Sequence, residues 1–190
     1  MSSSVSRNAR RTLLAIMMTC AFARPTLLAG SGQSGDAFSS EYTSLTQPFC
    51  KTQSVQVEGA NSQQVCPGVH GFRLLLLDSD GRMSVTVVSP KGTRYPLDFW
   101  DKVTPHFSSV GKRAEWRIRE QGAQTTPVAI ILPLEISEDA ETAAVTSYLV
   151  VARIDPGKTC VVGKFKNDAG SRIEARNAAD SAAKMNCLSQ

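Results

Sequence analysis

From Phe49 onward, apolar and polar residues alternate mainly with a period of two, which predicts half-buried strands. Met83, Val85 and Val87 alternate with Ser84 and Thr86, and Ala114, Trp116 and Ile118 with Glu115, Arg117 and Arg119. Val128, Ile130, Leu132, Leu134 and Ile136 share a third face, interrupted by Pro133, which cannot donate a ladder hydrogen bond and so implies an edge or a bulge. Phe72 to Leu77 and Tyr148 to Ile154 are apolar nearly throughout, as expected of strands covered on both faces. Asp78-Ser79-Asp80-Gly81 and Asp155-Pro156-Gly157-Lys158 supply the tight turns beside them.

The period changes near the C-terminus, where residues from Arg172 to Asn186 predict a helix. Ser171-x-x-Glu174 has the form of a capping box, and Ala175, Ala178, Ala179, Ala182 and Met185 make a narrow stripe of mostly small side chains. Such a stripe suits close packing on a sheet and lacks the bulky apolar residues of a membrane-surface helix. The predicted fold is α+β. An antiparallel sheet of about six or seven strands, mostly a meander, carries the C-terminal helix on one face in a single domain over residues 49–190.

The first thirty residues have a different pattern. Arg7, Arg10 and Arg11 precede an apolar run from Thr12 to Ala23, and small residues stand at Ala21, Ala23 and Ala29. That order predicts a secretory signal peptide over residues 1–29, with cleavage after Ala23 or Ala29. The run is shorter than the roughly 20 residues a membrane-spanning helix needs, so no transmembrane helix is expected to be retained. Cys20 follows Met17, Met18 and Thr19 rather than a lipidation motif and is expected to leave with the signal. Residues 30–48 are rich in Ser, Gly, Thr and Gln and read as a flexible leader.

Export changes how charge and cysteines are understood. Arg7, Arg10, Arg11 and Arg24 are four of the 21 basic residues, and their removal leaves 17 against 17 acidic ones. A balanced charge argues against nucleic acid as a partner. Lys112, Arg113, Arg117 and Arg119, interleaved with Glu115 and Glu120, read as a solvated strand face. Cys50, Cys66, Cys160 and Cys187 predict two disulfides with three possible connectivities. A strand from Cys160 to Lys166 spans about 20 Å, and a helix from Arg172 to Asn186 about 21 Å. A helix folded back along that strand brings Cys187 beside Cys160 and leaves Cys50 with Cys66.

Ser89 to Gly111 fits no regular element and is longer than an ordinary connection. Its aromatic residues suit packing over a sheet face. They also make Arg94, Tyr95, Asp98, Trp100 and His106 a candidate recognition surface. Catalytic, metal and cofactor motifs are missing from the sequence: there is no Gly-x-Ser-x-Gly, no His-Glu-x-x-His and no glycine-rich phosphate loop. The Asp78 and Asp80 pair belongs to a turn rather than a calcium loop, since Arg82 stands where a third ligand is needed.

Cys66-Pro67-Gly68, Glu115-Trp116-Arg117, Ser147 to Val151 and the ending from Ala178-Ala179-Asp180 to Cys187 resemble a set of small exported proteins of alphaproteobacteria without an assigned function. The resemblance spans Cys50 to Cys187 and implies an envelope location and the same cysteine framework. The expectation is a periplasmic or secreted noncatalytic module that binds a protein or envelope component. The alternative is a small hydrolase using His106 or His70.

Overall fold

A computed structural model describes residues 36–53, 61–139 and 144–189, all within one compact unit, Ser34–Gln190. The signal-like segment and Cys20 lie outside the described residues. Eleven strands occur among the described residues: β1 (Ala37–Ser44), β2 (Lys51–Gln53), β3 (Asn61–Pro67), β4 (Arg73–Ser79), β5 (Arg82–Val88), β6 (Arg94–Pro96), β7 (Ser108–Val110), β8 (Arg113–Gln121), β9 (Gln124–Ser137), β10 (Val145–Arg153) and β11 (Cys160–Lys166). A short helix α1 (Phe99–Lys102) precedes β7, and α2 (Ala169–Asp180) follows β11, with a 3-10 turn at Ala182–Lys184.

The strand order is β1-β8-β9-β7-β5-β4-β3-β2, with β10 and then β11 on the other side of β9 and β6 beside β5. The sheet is mixed, because β7 pairs antiparallel with β9 but forms a parallel bridge to β5 at Ser108 and Arg82. This corrects the expected six- or seven-stranded antiparallel meander. The added strands β2, β6 and β7 are three residues each, too short to display a period. The expected leader also needs correction, because Ala37–Ser44 is a full strand on β8. Its sequence hid it because its role is polar: Thr43 Oγ1 accepts from the indole N–H of buried Trp116 at 2.9 Å, and Ser40 accepts from buried Arg117.

Alternation on β9 and β10 divides two cores. Ile130, Leu132, Leu134, Ile136 and Val150 face Leu74, Leu76, Val85 and Val87 of the β4–β5 hairpin, around Trp116 and Ile118. The intervening Ala129, Ile131, Leu149 and Val151 face α2. Residues 149–154 are therefore buried throughout, as the sequence predicts. β4 differs, for only Leu74 and Leu76 are buried while Leu75 and Leu77 remain half-exposed and belong to neither core. Asp80 and Gly81 join β4 to β5 with φ of 53° and 69°, the left-handed pair that a two-residue hairpin requires. Pro133 is not at an edge. It sits where β9 exchanges β8 for β7 as a partner, and its carbonyl accepts from Gly111 N at 2.8 Å.

Both disulfides have the expected pairing. Cys50–Cys66 lies in the main core with Cα atoms 4.2 Å apart, and Cys160–Cys187 closes the return of α2 along β11 with Cα atoms 5.7 Å apart. The helix starts earlier than the Ser171 capping box suggests. Asp168 is the cap, its carboxylate accepting from Ser171 N at 2.9 Å, and the α-helix ends at Asp180 rather than Asn186. Ala175, Ala179 and Ala182 are fully buried, so backbone and sheet approach closely. We expect Ala179→Leu to cost about 1–3 kcal/mol through overpacking, read as a lower melting temperature. An unchanged melting temperature would mean that the stripe has room to spare.

Candidate functional site

The five residues of the expected recognition surface do not converge. Arg94 and Tyr95 pair with Val88 and Val87 at one end of β5, whereas Trp100 bonds to Arg82 at the other, about 20 Å away along the strand. Tyr95 Oη accepts from Gly157 N at 3.3 Å. Trp100 is half-buried, and its indole N–H donates to the Arg82 carbonyl at 2.8 Å, which favours packing over capture. Asp98 is an exposed left-handed residue before α1, and His106 is exposed on the following loop. The buried anchors of this connection are Leu97, which sequence reasoning passed over, and Phe99, one of the aromatics expected to pack, 2% and 0% exposed.

A different concavity gathers charge. Between α2 and the exposed end of the sheet lies a cleft of about 300 Å³. Its floor is apolar: Ile131 and Pro133 from β9 and Leu149 from β10. Arg172 and Arg176, one helical turn apart on α2, form one wall, and Lys112, Arg113 and Glu115 at the start of β8 form the opposite one with Tyr42 of β1. The Arg113 guanidinium lies 4.6 Å from the centre of the Tyr42 ring, and Arg176 binds the Tyr42 hydroxyl at 3.0 Å. Arg172 Nε donates to Asn167 Oδ1 at 3.0 Å.

The expected solvated face of β8 is exposed at Lys112 and Arg113 but covered at Arg117 and partly at Glu115. Arg117 is 8% exposed beneath α2, donating from Nε and Nη2 to the two carboxylate oxygens of Asp180 at 2.7 and 2.9 Å. Glu115 receives Arg176 Nε at 2.7 Å and the Ser40 hydroxyl at 2.6 Å. Burial pushes the Glu115 carboxyl up. The hydrogen bonds from Arg176 and Ser40 and the charges of Arg176 and Arg117 outweigh that and hold it below the ordinary value of 4.5. The same hydrogen bond from Arg176 to Glu115 raises the guanidinium above its usual value.

At the far end of α2, buried Arg153 donates to the carbonyls of Lys158 and Met185 and to both sulfurs of Cys160–Cys187. His70 Nε2 lies 3.1 Å from Glu41 Oε1, and no hydroxyl is bonded to either imidazole among the described residues. Among the described residues no group of three or more His, Cys, Asp or Glu could hold a metal, and no helix is long and apolar enough to cross a membrane. No family model, curated protein or solved structure matches this chain.

Glu115 sets an acid dependence. Because its folded value is depressed, its contribution to stability is complete above about the ordinary carboxyl value and is lost as pH falls through the lower folded value. We expect Glu115→Gln to melt below the wild type at pH 7, with the gap narrowing as pH falls below the ordinary carboxyl value. A gap that stays constant over that range would show that the ion pairs contribute nothing.

Proposed function

We propose that this chain is an exported, disulfide-bonded binding module of the cell envelope whose ligand is anionic and sits in the cleft under α2. One observation carries the reading. A domain with 17 basic and 17 acidic residues beyond its N-terminal segment places four cations against one carboxylate around a single cleft, and Arg176 already engages that carboxylate. Such an excess of one sign in a concave site raises the local concentration of the opposite charge. The basic and apolar N-terminus and the two disulfides support a periplasmic or secreted location, where such bonds persist.

The cleft is lined more by polar and charged groups than an ordinary small-molecule site, with Ile131, Pro133 and Leu149 as its apolar part, and its volume is at the low end of that class. A hydrolase centred on His70 draws support from the Glu41 contact and lacks a hydroxyl to activate. Exposed Lys112 and Arg172 allow a clean test, since surface substitutions usually change stability by under about 0.5 kcal/mol. After mild crosslinking in the native envelope, we expect the wild-type protein to co-purify with an acidic component. The Lys112→Glu and Arg172→Glu variants should melt normally and carry none. Equal capture by all three would refute the cleft as the site.

A further inference from the structure

Resting on that reading, we propose that the cleft takes an amphiphilic anion, a single carboxylate or phosphate head joined to a short apolar body. The head is assigned by Lys112, Arg113 and Arg172, which have no carboxylate partner among the described residues. Two of them are already held in place, Arg113 by the Tyr42 ring and Arg172 by Asn167. A guanidinium fixed in this way loses little freedom on binding an anion and can offer two parallel donors.

The body is assigned by what lies beneath. Ile131 and Leu149 are 3% and 8% exposed and form the floor with Pro133, whereas Lys112, Arg113 and Arg172 are exposed at the rim. An inorganic ion held at the rim would fill a small part of a 300 Å³ cleft, in which each water takes about 30 Å³, and would leave water over half-buried Pro133 and the small exposed parts of Ile131 and Leu149. A hydrocarbon body would displace that water, its own methylenes supplying most of the apolar area buried. Glu115 already engages Arg176, which leaves Lys112, Arg113 and Arg172 to receive an anion, so the ligand carries its charge at the end facing those three.

Two sources offer this chemistry, a free short-chain acid or phosphate ester and the charged end of a membrane lipid. The exported protein is titrated calorimetrically at low salt with acetate, hexanoate, octanoate, inorganic phosphate and hexyl phosphate. It is also tested for flotation with vesicles of phosphatidylglycerol and of phosphatidylcholine. We expect hexanoate and hexyl phosphate to bind at least tenfold more tightly than acetate and phosphate, rising by up to about fourfold per methylene until the cleft is filled. Arg172→Glu, or Lys112→Glu as a second variant, should lose tenfold or more. Flotation with phosphatidylglycerol alone, abolished in the same variants, supports the proposal and assigns the source to lipid; binding of the soluble ligands alone supports it and assigns a free acid or ester.

Acetate and phosphate binding as tightly as their six-carbon counterparts would overturn the proposal while leaving the cationic cleft as the site. Failure of every ligand to bind, with envelope capture still lost in the variants, would also overturn the proposal and keep the reading beneath it. Failure of every ligand with capture unchanged would remove both.

Discussion

The Arg117–Asp180 pair is the interaction on which the helix, and therefore the cleft, depends. Asp180 is the last residue of α2 and Arg117 sits mid-strand on β8, so their two parallel bonds at 2.7 and 2.9 Å fix both the position and the rotation of the helix. Hydrophobic burial alone fixes neither well. The buried stripe of α2 is alanine, which offers little apolar area and few distinctive shapes to interlock. A buried ion pair gives little net stability against an apolar replacement. Its geometry is demanding, and losing one partner leaves the other charge stranded.

The remaining fastenings act at other points along the same helix and use different physics. Near its start, Asn167 donates to Ser147 Oγ at 3.0 Å; about two turns inside, Arg176 reaches Glu115 across the cleft. Beyond its end, the Cys160–Cys187 bridge closes a 27-residue separation, and Arg153 seals it by donating to both sulfurs and to the Met185 carbonyl. The bridge restricts the unfolded chain, whereas the polar contacts choose among folded arrangements. With the helix held so, Arg172 and Arg176 stand opposite Lys112 and Arg113, and a domain whose charges balance beyond its N-terminal segment acquires a cationic concavity.

The sequence made legible what depends on neighbours along the chain. The period-two faces of β8 and β9, the buried run of β10 and the disulfide pairing all follow from local pattern and element length. What depends on distant partners was not legible. Ala37–Ser44 looks like a leader because its serines and threonine serve buried polar atoms on β8 some 75 positions away. Arg117 and Glu115 look solvated because Asp180 and Arg176, which cover them, lie over 60 residues downstream. The cleft did leave a trace, in the i, i+4 spacing of Arg172 and Arg176 outside the alanine stripe and in the Lys112-Arg113 pair. Nothing local shows that the two face each other. The expected recognition residues are dispersed for the complementary reason: closeness in sequence within Ser89 to Gly111 does not survive β6 and α1 leaving toward opposite ends of β5.

A double-mutant cycle on Arg117 and Asp180 tests the central claim most directly, using Arg117→Met, Asp180→Asn and the double variant in chemical denaturation. Asp180→Asn should cost about 3 kcal/mol, because it strands the buried charge of Arg117, and Arg117→Met somewhat less, because Asp180 is part-exposed. The double change should cost clearly less than the sum, with a coupling of about 1.5 kcal/mol or more. Additive losses within about 0.5 kcal/mol would mean that the two residues do not act together, and the account of how α2 is held, and of the cleft it forms, would be contradicted.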